Sequence, residues 1–501
     1  MAPALGPDNE SFQCELNGHE IQCRHPQTQK EIIISINNLI CILSRGDKLE
    51  APRHVMLFLW LDENEFEVSR ESVQIRLLRY TSLPRDFHSR TGGKGMSVFK
   101  NILSPLLSQL GVREYAVHET RTTQTIVELC HTKLMPCAQA GIKQTIILLS
   151  GDGGLTDIID SFHGTAIQYL AKPIIALIPT GTGNAMASSI GLLKSRAAGL
   201  SALLHGHPAP IPAFLATFSA GSKLVTEAGS GRVNINSHSQ SKTGHPTVYG
   251  GVVASWGLHA ALVADSDTAE YRKYGAERFQ MAAKEILFPS NGDDPHKFRG
   301  SISFTWRDRQ TNKRHTEALG CEEHMYVLVT LVSNLEPGFT ISPLSAPLDG
   351  CLRIIHFGPM TSEQAMNLMS NAYQGGKHVN DARVTYREIE SIRITLGEVD
   401  ERWRKVCIDG KIIAVESGGW LEVQKISEHY LNILIPAHGD SDVWLRGLYG
   451  SSVSWNSFSS SKGSKSPTPA CGMGLLIKVI DGFVAEYTKE ALPKPAGSQI
   501  I

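Results

Sequence analysis

Three hydrophobic patterns follow one another along the chain. Residues 1 to about 85 contain short apolar runs between polar residues (EIIISI, NLICIL, HVMLFLWL, VQIRLL), which predict strands. From about 85 to 205, the runs TIILL (145–149) and IIALI (174–178) each meet a glycine cluster and then a helix-like pattern, which predicts parallel strands with helices between them. After about residue 210, period-two runs such as MYVLVTLV and SIRITL predict a largely antiparallel β domain, with one helix at 361–373.

Helical spacing also follows the glycine-rich segment HSRTGGKG (88–95). The apolar positions that predict one helix face are Phe99, Ile102, Leu103, Leu106, Leu107 and Leu110. Pro105 interrupts this pattern, because an interior proline removes a backbone hydrogen bond, and a kink or restart is expected there. A short strand is predicted at REYAV (113–117) and a further helix from about residue 123.

These changes of pattern divide the chain into four predicted parts. They are a β-rich accessory domain at 1–85, an α/β domain at 86–208, a β domain at 209–440 and a flexible, Ser-rich segment at 441–501. A chain of 501 residues is long enough for two or three hydrophobic cores, so several domains are the default expectation.

Composition and charge narrow the class of protein. The formal net charge is −1, so no overall basic field favours nucleic acid, and no nucleic-acid partner is expected. The longest apolar runs are too short to span a bilayer, and the first residues lack the pattern of a secretory signal. Nine scattered cysteines favour reduced thiols, and we expect a cytoplasmic protein.

One cluster near the start of the chain contains metal-ligating residue types. It consists of Cys14, His19, Cys23 and His25. Its spacing does not match a usual zinc pattern and no second pair follows, so thiols carried on strands are the favoured interpretation.

The candidate chemistry lies in two glycine turns, SGDGGLTDIID (150–160) and PTGTGNAMASSIGL (179–192), each between an apolar run and a helix-like pattern. Glycines allow backbone N–H groups to approach a ligand closely, and a helix start can bind phosphate. Either turn alone is as readily explained by tight loop geometry. Their occurrence in adjacent strand-turn-helix units predicts a nucleotide site.

The motifs GGKG, SGDGGLTDIID and GTGNAMA resemble, in order and approximate spacing, the lipid-kinase family of diacylglycerol, ceramide and sphingosine kinases. The resemblance covers roughly residues 85–430. The later segment WGLHAALVADSDTAEYRKYGAERF (256–279) is similar to the sphingosine and ceramide kinase version, and the whole set favours the sphingosine kinase branch.

The resemblance implies a fold and an activity. The fold is α/β plus β, with a parallel α/β nucleotide-binding lobe, a β-sandwich lobe that helps form the lipid site, and the nucleotide in the cleft between them. The activity is transfer of a phosphoryl group from ATP, with Mg²⁺ held through the nucleotide and no cage of protein side chains, to the primary hydroxyl of a sphingoid base. The partners expected are ATP, the sphingoid lipid and a peripheral membrane surface, with a homodimer left open.

Two alternatives stay open. A ceramide or diacylglycerol kinase would share the fold and would not need an acid for an amino headgroup. A catalytically weak, lipid-binding regulatory protein on the same fold is the other.

The resemblance also implies roles for individual residues. Asp152 is the predicted general base, against the alternative of an Asp that caps a turn. The predicted nucleotide-binding residues are Ser89, Arg90, Thr91, Gly92, Gly93, Lys94, Gly95, Arg121, Thr122, Thr123, Asp157, Gly181, Thr182, Gly183, Asn184, Arg272, Arg278, Asp409, Gly410 and Lys411. The predicted substrate-binding residues are Ser150, Gly151, Gly153 and Asp265, with Asp267 the competing headgroup acid.

Some positions depart from the family pattern. Ser89 and Arg90 stand where the family has Asn-Pro, and Lys411 stands where it has an acid. Asp157 replaces the usual Glu with a shorter carboxylate. Ser89, Arg90 and Lys411 favour the regulatory alternative.

Overall fold

The structure is a computed structural model. It describes strand segments within residues 2–79 and the range 92–436, apart from gaps at 111, 113–114, 166, 195–197, 236–243, 269 and 275–276. The predicted Ser-rich segment at 441–501 lies outside the described residues, as do Ser89, Arg90 and Thr91. Within the described ranges, no helix is both long and apolar enough to cross a bilayer.

Strands occupy the first region, as its apolar runs predict. They are β1 (Ala2–Leu5), β2 (Ser11–Asn17), β3 (Glu20–Arg24), β4 (Glu31–Ser35), β5 (Leu39–Arg45), β6 (Arg53–Trp60), β7 (Glu67–Ser69) and β8 (Val73–Arg79). Strands β1 to β4 form an antiparallel sheet in chain order, and a second sheet has the order β5-β6-β8-β7. Cys14 and Cys23 are cross-strand neighbours on β2 and β3, which confirms that they lie on strands; His19 and His25 lie outside the described residues.

The next lobe alternates helices and strands. Its elements are α1 (Gly92–Val98), a π-helical turn (Phe99–Leu103), α2 (Ser104–Gln109), α3 (Thr125–Leu129), a second π-helical turn (Cys130–Leu134), α4 (Met135–Gln139), β9 (Thr145–Ser150), α5 (Asp152–His163), β10 (Ile174–Pro179), α6 (Ala185–Ser189), α7 (Ala198–His205) and β11 (His207–Pro210).

The first helical segment follows its predicted apolar pattern. Ile102, Leu103, Leu106 and Leu107 are buried against the sheet. Pro105 lies in the first turn of α2, directly after the π-helical turn, so the helix is irregular where the proline predicts it. The predicted strand at 113–117 is wrong for its described part, because residues 115–117 form no strand.

Two buried strands organise this lobe. β9 and β10 pair in parallel from Thr145 opposite Ile174 to Ser150 opposite Pro179, so both end at the same sheet edge. Their interior residues are almost all apolar, as expected for parallel strands covered on both faces. The glycine turns that follow them are therefore neighbours.

The chain then builds the second lobe. Its strands are β12 (Phe214–Phe218), β13 (Lys223–Thr226), β14 (Gly231–Asn234), β15 (Thr247–Gly250), β16 (Val253–Gly257), β17 (Phe298–Arg307), β18 (Arg314–Ala318), β19 (Glu323–His324), β20 (Tyr326–Thr330), β21 (Asn334–Glu336), β22 (Phe339–Thr340), β23 (Leu352–Phe357), β24 (Thr385–Ile389), β25 (Ser391–Leu396), β26 (Lys405–Ile408), β27 (Lys411–Ala414) and β28 (Trp420–Lys425). Its α-helices are α8 (Leu258–Ser266), α9 (Glu277–Leu287) and α10 (Ser362–Ser370).

Two sheets form the framework of this lobe. One has the order β15-β12-β28-β25-β17-β18, with β19 also paired to β17, and the other has the order β14-β13-β27-β26-β16-β20-β23-β24. Alternating burial along β12 and β25 gives the first of these sheets one apolar face, whereas β20 and β23 of the second sheet are buried along their whole length. The predicted helix at 361–373 is α10, which begins with a capping box at Thr361 and Gln364.

A last strand, β29 (Asn432–Ile435), returns to the first lobe. The first-lobe sheet has the order β11-β29-β10-β9, with β29 parallel to β10 and antiparallel to β11. The predicted fold class, a parallel α/β lobe joined to a β-sandwich lobe, is confirmed.

Candidate active site

The two glycine turns touch each other. A Cβ atom built on Gly151 would lie 2.9 Å from Gly181 Cα, and one built on Gly181 would lie 2.5 Å from Gly151 Cα. Any side chain at either position would therefore push the turns apart. The glycines are needed here for close backbone approach, since neither residue has a positive φ.

Asn184 holds the second turn together. Its side-chain oxygen accepts a hydrogen bond from the Gly181 N–H at 3.0 Å, and its amide donates to the Gly181 carbonyl at 2.8 Å. Its backbone is left-handed, with φ of 54°, a conformation that asparagine tolerates better than most residues. Asn184 thus shapes the turn and does not cap α6 with its side chain.

Asp152 links the first glycine turn to α6, the helix that follows the second glycine turn. Its Oδ2 accepts a hydrogen bond from the Ala185 N–H at 2.7 Å, and its Oδ1 accepts one from the Met186 N–H at 2.9 Å. Burial raises the pKa of Asp152, and these amide bonds oppose the rise. An ionised carboxylate can accept about four hydrogen bonds, so the two amides leave room for a hydroxyl donor.

A partly buried lysine connects the lobes beside this turn. Lys411 Nζ on β27 lies 3.0 Å from Asp157 Oδ1 and 2.9 Å from Asp160 Oδ2, both on α5. Asp160 also accepts the Tyr249 N–H through its Oδ1, at 2.9 Å. Burial lowers the pKa of Lys411, but the two carboxylates outweigh burial and the net pKa shift is upward. The lysine is therefore held in its charged form across the interface.

The role of Asp160 was missed from the sequence. A signal was available, because Asp157 and Asp160 are three residues apart and share a helix face. Lys411 and the shorter Asp157, two departures from the family pattern, contact each other in the structure. These two departures from the family pattern therefore form one ion pair, and they are not two independent losses of function.

Asp409 anchors the loop that enters β16. Its carboxylate accepts the N–H groups of Gly251, Val252 and Val253 at 2.6, 3.0 and 2.5 Å. Burial raises the pKa of Asp409 to about 7, and the negative charge of Asp152 adds to the rise. The carboxylate of this predicted nucleotide-binding residue is thus occupied by backbone amides, while Gly410 next to it is exposed.

These elements surround one cavity of about 1990 Å³. Its polar wall includes Asp152, both glycine turns and Lys411. Apolar side chains from the second lobe also line it: Leu224, Val225, Val233, Ile235, Val248, Val252, Val263, Phe279, Leu335 and Ile412. The cavity therefore joins a polar, amide-rich end to apolar surface.

Other predicted nucleotide-binding residues lie around this cavity. Arg121, Thr122 and Thr123 are exposed on its rim. Arg278 lines it and lies 3.7 Å from Asp267. Gly95 also lines it.

The glycine-rich GGKG segment forms the first turn of α1. A Cβ atom on Gly95 would lie 3.0 Å from the Leu149 carbonyl oxygen, so this helix start abuts the end of β9. The side chain of Lys94 is outside the described part of the structure, as is that of Arg272, whose backbone lies in a short 3₁₀ helix.

The two candidate headgroup acids differ in position. Asp265 Oδ2 lies 3.0 Å from Arg402 Nη2, and Asp265 is not among the residues that line the cavity. Asp267 does line it. The preference for Asp265 over Asp267 therefore has no support from the geometry.

Residues 87–215 match the diacylglycerol kinase catalytic domain. The matched range contains Asp152, both glycine turns and strands β9 to β11. The first lobe is thus similar to a kinase catalytic domain, and such a domain implies use of a nucleotide.

Comparison with solved structures gives weaker likenesses. A provisionally assigned diacylglycerol kinase from Bacillus anthracis str. Sterne has 15% identity and a TM-score of 0.44, over 69% of this chain and 94% of that one. Yeast NADH kinase complexed with NADH has 11% identity and a TM-score of 0.30, over 64% and 68%. A comparison with curated proteins finds no match.

Proposed function

We propose that the protein is a lipid kinase that transfers the γ-phosphoryl group of ATP to the primary hydroxyl of a sphingoid base. The observation that carries the proposal is the position of Asp152. This partly buried carboxylate lies where the two glycine turns meet, in the wall of a cavity that also has apolar surface. Phosphoryl transfer to a lipid needs a phosphate site, a proton acceptor and an apolar site for the chain in one place.

The chain's residues fit these tasks. Asp152, whose pKa burial raises, would accept the hydroxyl proton. The glycine turns and the Arg278 guanidinium would face the phosphates. Asp157 and Asp160 are already paired with Lys411, which fits Mg²⁺ bound through the phosphates better than Mg²⁺ held by these carboxylates.

The substrate class rests on the second lobe. Apolar residues of that lobe would contact the hydrocarbon chain, and Asp267, which lines the cavity, would contact a cationic amine. Asp265 remains the alternative acid if Arg402 moves from it. Access to such a lipid implies contact with a membrane surface, which co-sedimentation with vesicles would measure.

One observation favours the second candidate, a lipid-binding regulatory protein. Both Asp152 oxygens accept backbone N–H groups, as expected of a carboxylate that caps a helix. Such a protein would bind nucleotide and lipid without turnover.

The deciding experiment is transfer of labelled phosphate from ATP to sphingosine, ceramide and diacylglycerol. We expect product from sphingosine, and a loss of about 10²–10⁴-fold in Asp152→Asn, because a general base contributes about that much. Asp308→Asn is the matched control, since Asp308 is partly exposed, lies outside the cavity lining and caps a surface turn through the Gln310 and Thr311 amides. Nucleotide binding without product from any lipid would support the regulatory candidate.

A second comparison tests the headgroup acid. Asp267→Ala should impair sphingosine more than ceramide, whereas Asp265→Ala should affect both lipids equally and weakly. Equal loss on both lipids in Asp267→Ala would remove the amine-recognition role.

A further inference from the structure

A cluster of metal-ligating side chains lies in the second lobe, and it is separate from the cavity. It contains Cys321, His324 and His356, whose ligand atoms all lie within 4.8 Å of one another. None of the three is among the cavity-lining residues. His324 is on β19, which pairs with β17 of one sheet, and His356 is on β23 of the other. The cluster thus bridges the two sheets.

The hydrogen bonds fix the orientation of one ring. His324 Nε2 lies 3.1 Å from the Gly300 carbonyl, which can only accept, so Nε2 carries the proton. His324 Nδ1 then carries a lone pair that can accept a hydrogen bond or bind a metal. It lies 2.9 Å from His356 Nε2 and 3.8 Å from Cys321 Sγ. A metal-bound histidine usually donates its other N–H to a carbonyl or carboxylate in this way.

Hydrogen bonds within the cluster do not give every polar atom a partner. Because His324 Nδ1 accepts, His356 must donate from Nε2, which leaves His356 Nδ1 as the remaining acceptor of that ring. This atom is buried and has no hydrogen-bond partner. Without a metal, the hydrogen bond between the two rings therefore leaves one buried ring nitrogen without a partner, so it does not account for all the polar atoms of the cluster.

We propose that Cys321, His324 and His356 bind one zinc ion. A thiolate and two imidazoles suit Zn²⁺, whereas Mg²⁺ and Ca²⁺ prefer oxygen ligands. Tetrahedral zinc places two nitrogen ligands about 3.3 Å apart and nitrogen and sulfur about 3.6 Å apart, from Zn–N of about 2.0–2.1 Å and Zn–S of about 2.3 Å. The two spacings from His324 Nδ1 are close to these values, and the third, between Cys321 and His356, is at most 4.8 Å.

Binding changes the protonation of the cluster. The Cys321 thiol loses its proton to solvent when the Zn–S bond forms, and the proton on His356 Nε2 moves to Nδ1 as Nε2 becomes a ligand. Cys321 is exposed, so water can complete the fourth position. The bound ion would cross-link the two sheets and stabilise the second lobe.

The test uses the full chain loaded with zinc and then dialysed. We expect about one zinc per chain and a higher melting temperature with zinc than without it, because a ligand that binds only the folded state stabilises that state. Cys321→Ser and His356→Gln should lose both the retained zinc and the shift. Cys351→Ser is the control, because Cys351 is a partly buried cysteine of the same lobe that lies outside the cluster.

Cobalt provides a readout that a folding defect does not imitate. Co²⁺ bound to the wild-type chain should show a thiolate-to-cobalt charge-transfer band, which Cys321→Ser abolishes while its near-ultraviolet circular dichroism is unchanged. A folded wild-type chain that retains no zinc, or a Cys321→Ser variant that keeps the band, would overturn the proposal. Kinase activity enters neither measurement, so this result is independent of the proposed function.

Discussion

Replacing Lys411 by methionine tests the ionic contact between the lobes. The substitution keeps the length of the side chain and removes the charge that compensates Asp157 and Asp160. The three side chains are between 22 and 29% exposed, so their ion pairs are intermediate between fully buried pairs and surface pairs. Breaking a buried pair costs about 3–5 kcal/mol, and an exposed pair contributes about 0–1 kcal/mol. We therefore expect a loss of about 2–3 kcal/mol for Lys411→Met.

The assay is urea unfolding followed by tryptophan fluorescence, with Lys425→Met as the control, since Lys425 is exposed at the end of β28. Most of the cost should come from the two uncompensated carboxylates. Adding Asp157→Asn and Asp160→Asn to Lys411→Met should therefore recover at least half of the lost stability. The reasoning fails if Lys411→Met unfolds at the same urea concentration as Lys425→Met, or if the triple variant is less stable than the single one.

Two further predictions concern the turns and the pH dependence of stability. Gly151→Ala should weaken ATP binding measured by calorimetry and cost about 1–3 kcal/mol of stability, because its Cβ would lie 2.9 Å from Gly181 Cα, while Gly153→Ala, with open space around it, should cost no stability. Burial lowers the pKa of His163 to about 4 from 6.5, so the unfolded chain takes up the proton first and stability falls as pH drops from about 6.5 to 4. This histidine alone should account for about 3 kcal/mol of that fall, and His163→Gln should make the urea midpoint less dependent on pH; an unchanged slope would contradict the assignment.

Local patterns predicted the elements that carry the candidate chemistry. The apolar runs before Ser150 and Thr180 are buried parallel strands, and a shared sheet edge then places their turns together. The spacing of apolar residues also predicted the buried face of the first helical segment, including its irregularity near Pro105. These features depend on residues close in sequence, which is why periodicity reveals them.

Long-range partners could not be predicted in this way. Asp409 contacts amides more than 150 residues away, and Lys411 contacts α5 from more than 240 residues away. No spacing rule connects such positions. The choice between Asp265 and Asp267 likewise depends on Arg402, whose approach is set by the packing of the second lobe.

The return of β29 has a consequence for synthesis on the ribosome. The central sheet of the first lobe has a gap between β10 and β11 until residues 432–435 have emerged, although the flanking strands end by residue 210. While more than 200 further residues are synthesised, β10 and β11 each have an unpaired edge that can pair with strands of other chains. A fragment that stops after residue 215 would keep those edges permanently, and it should aggregate where the whole chain does not.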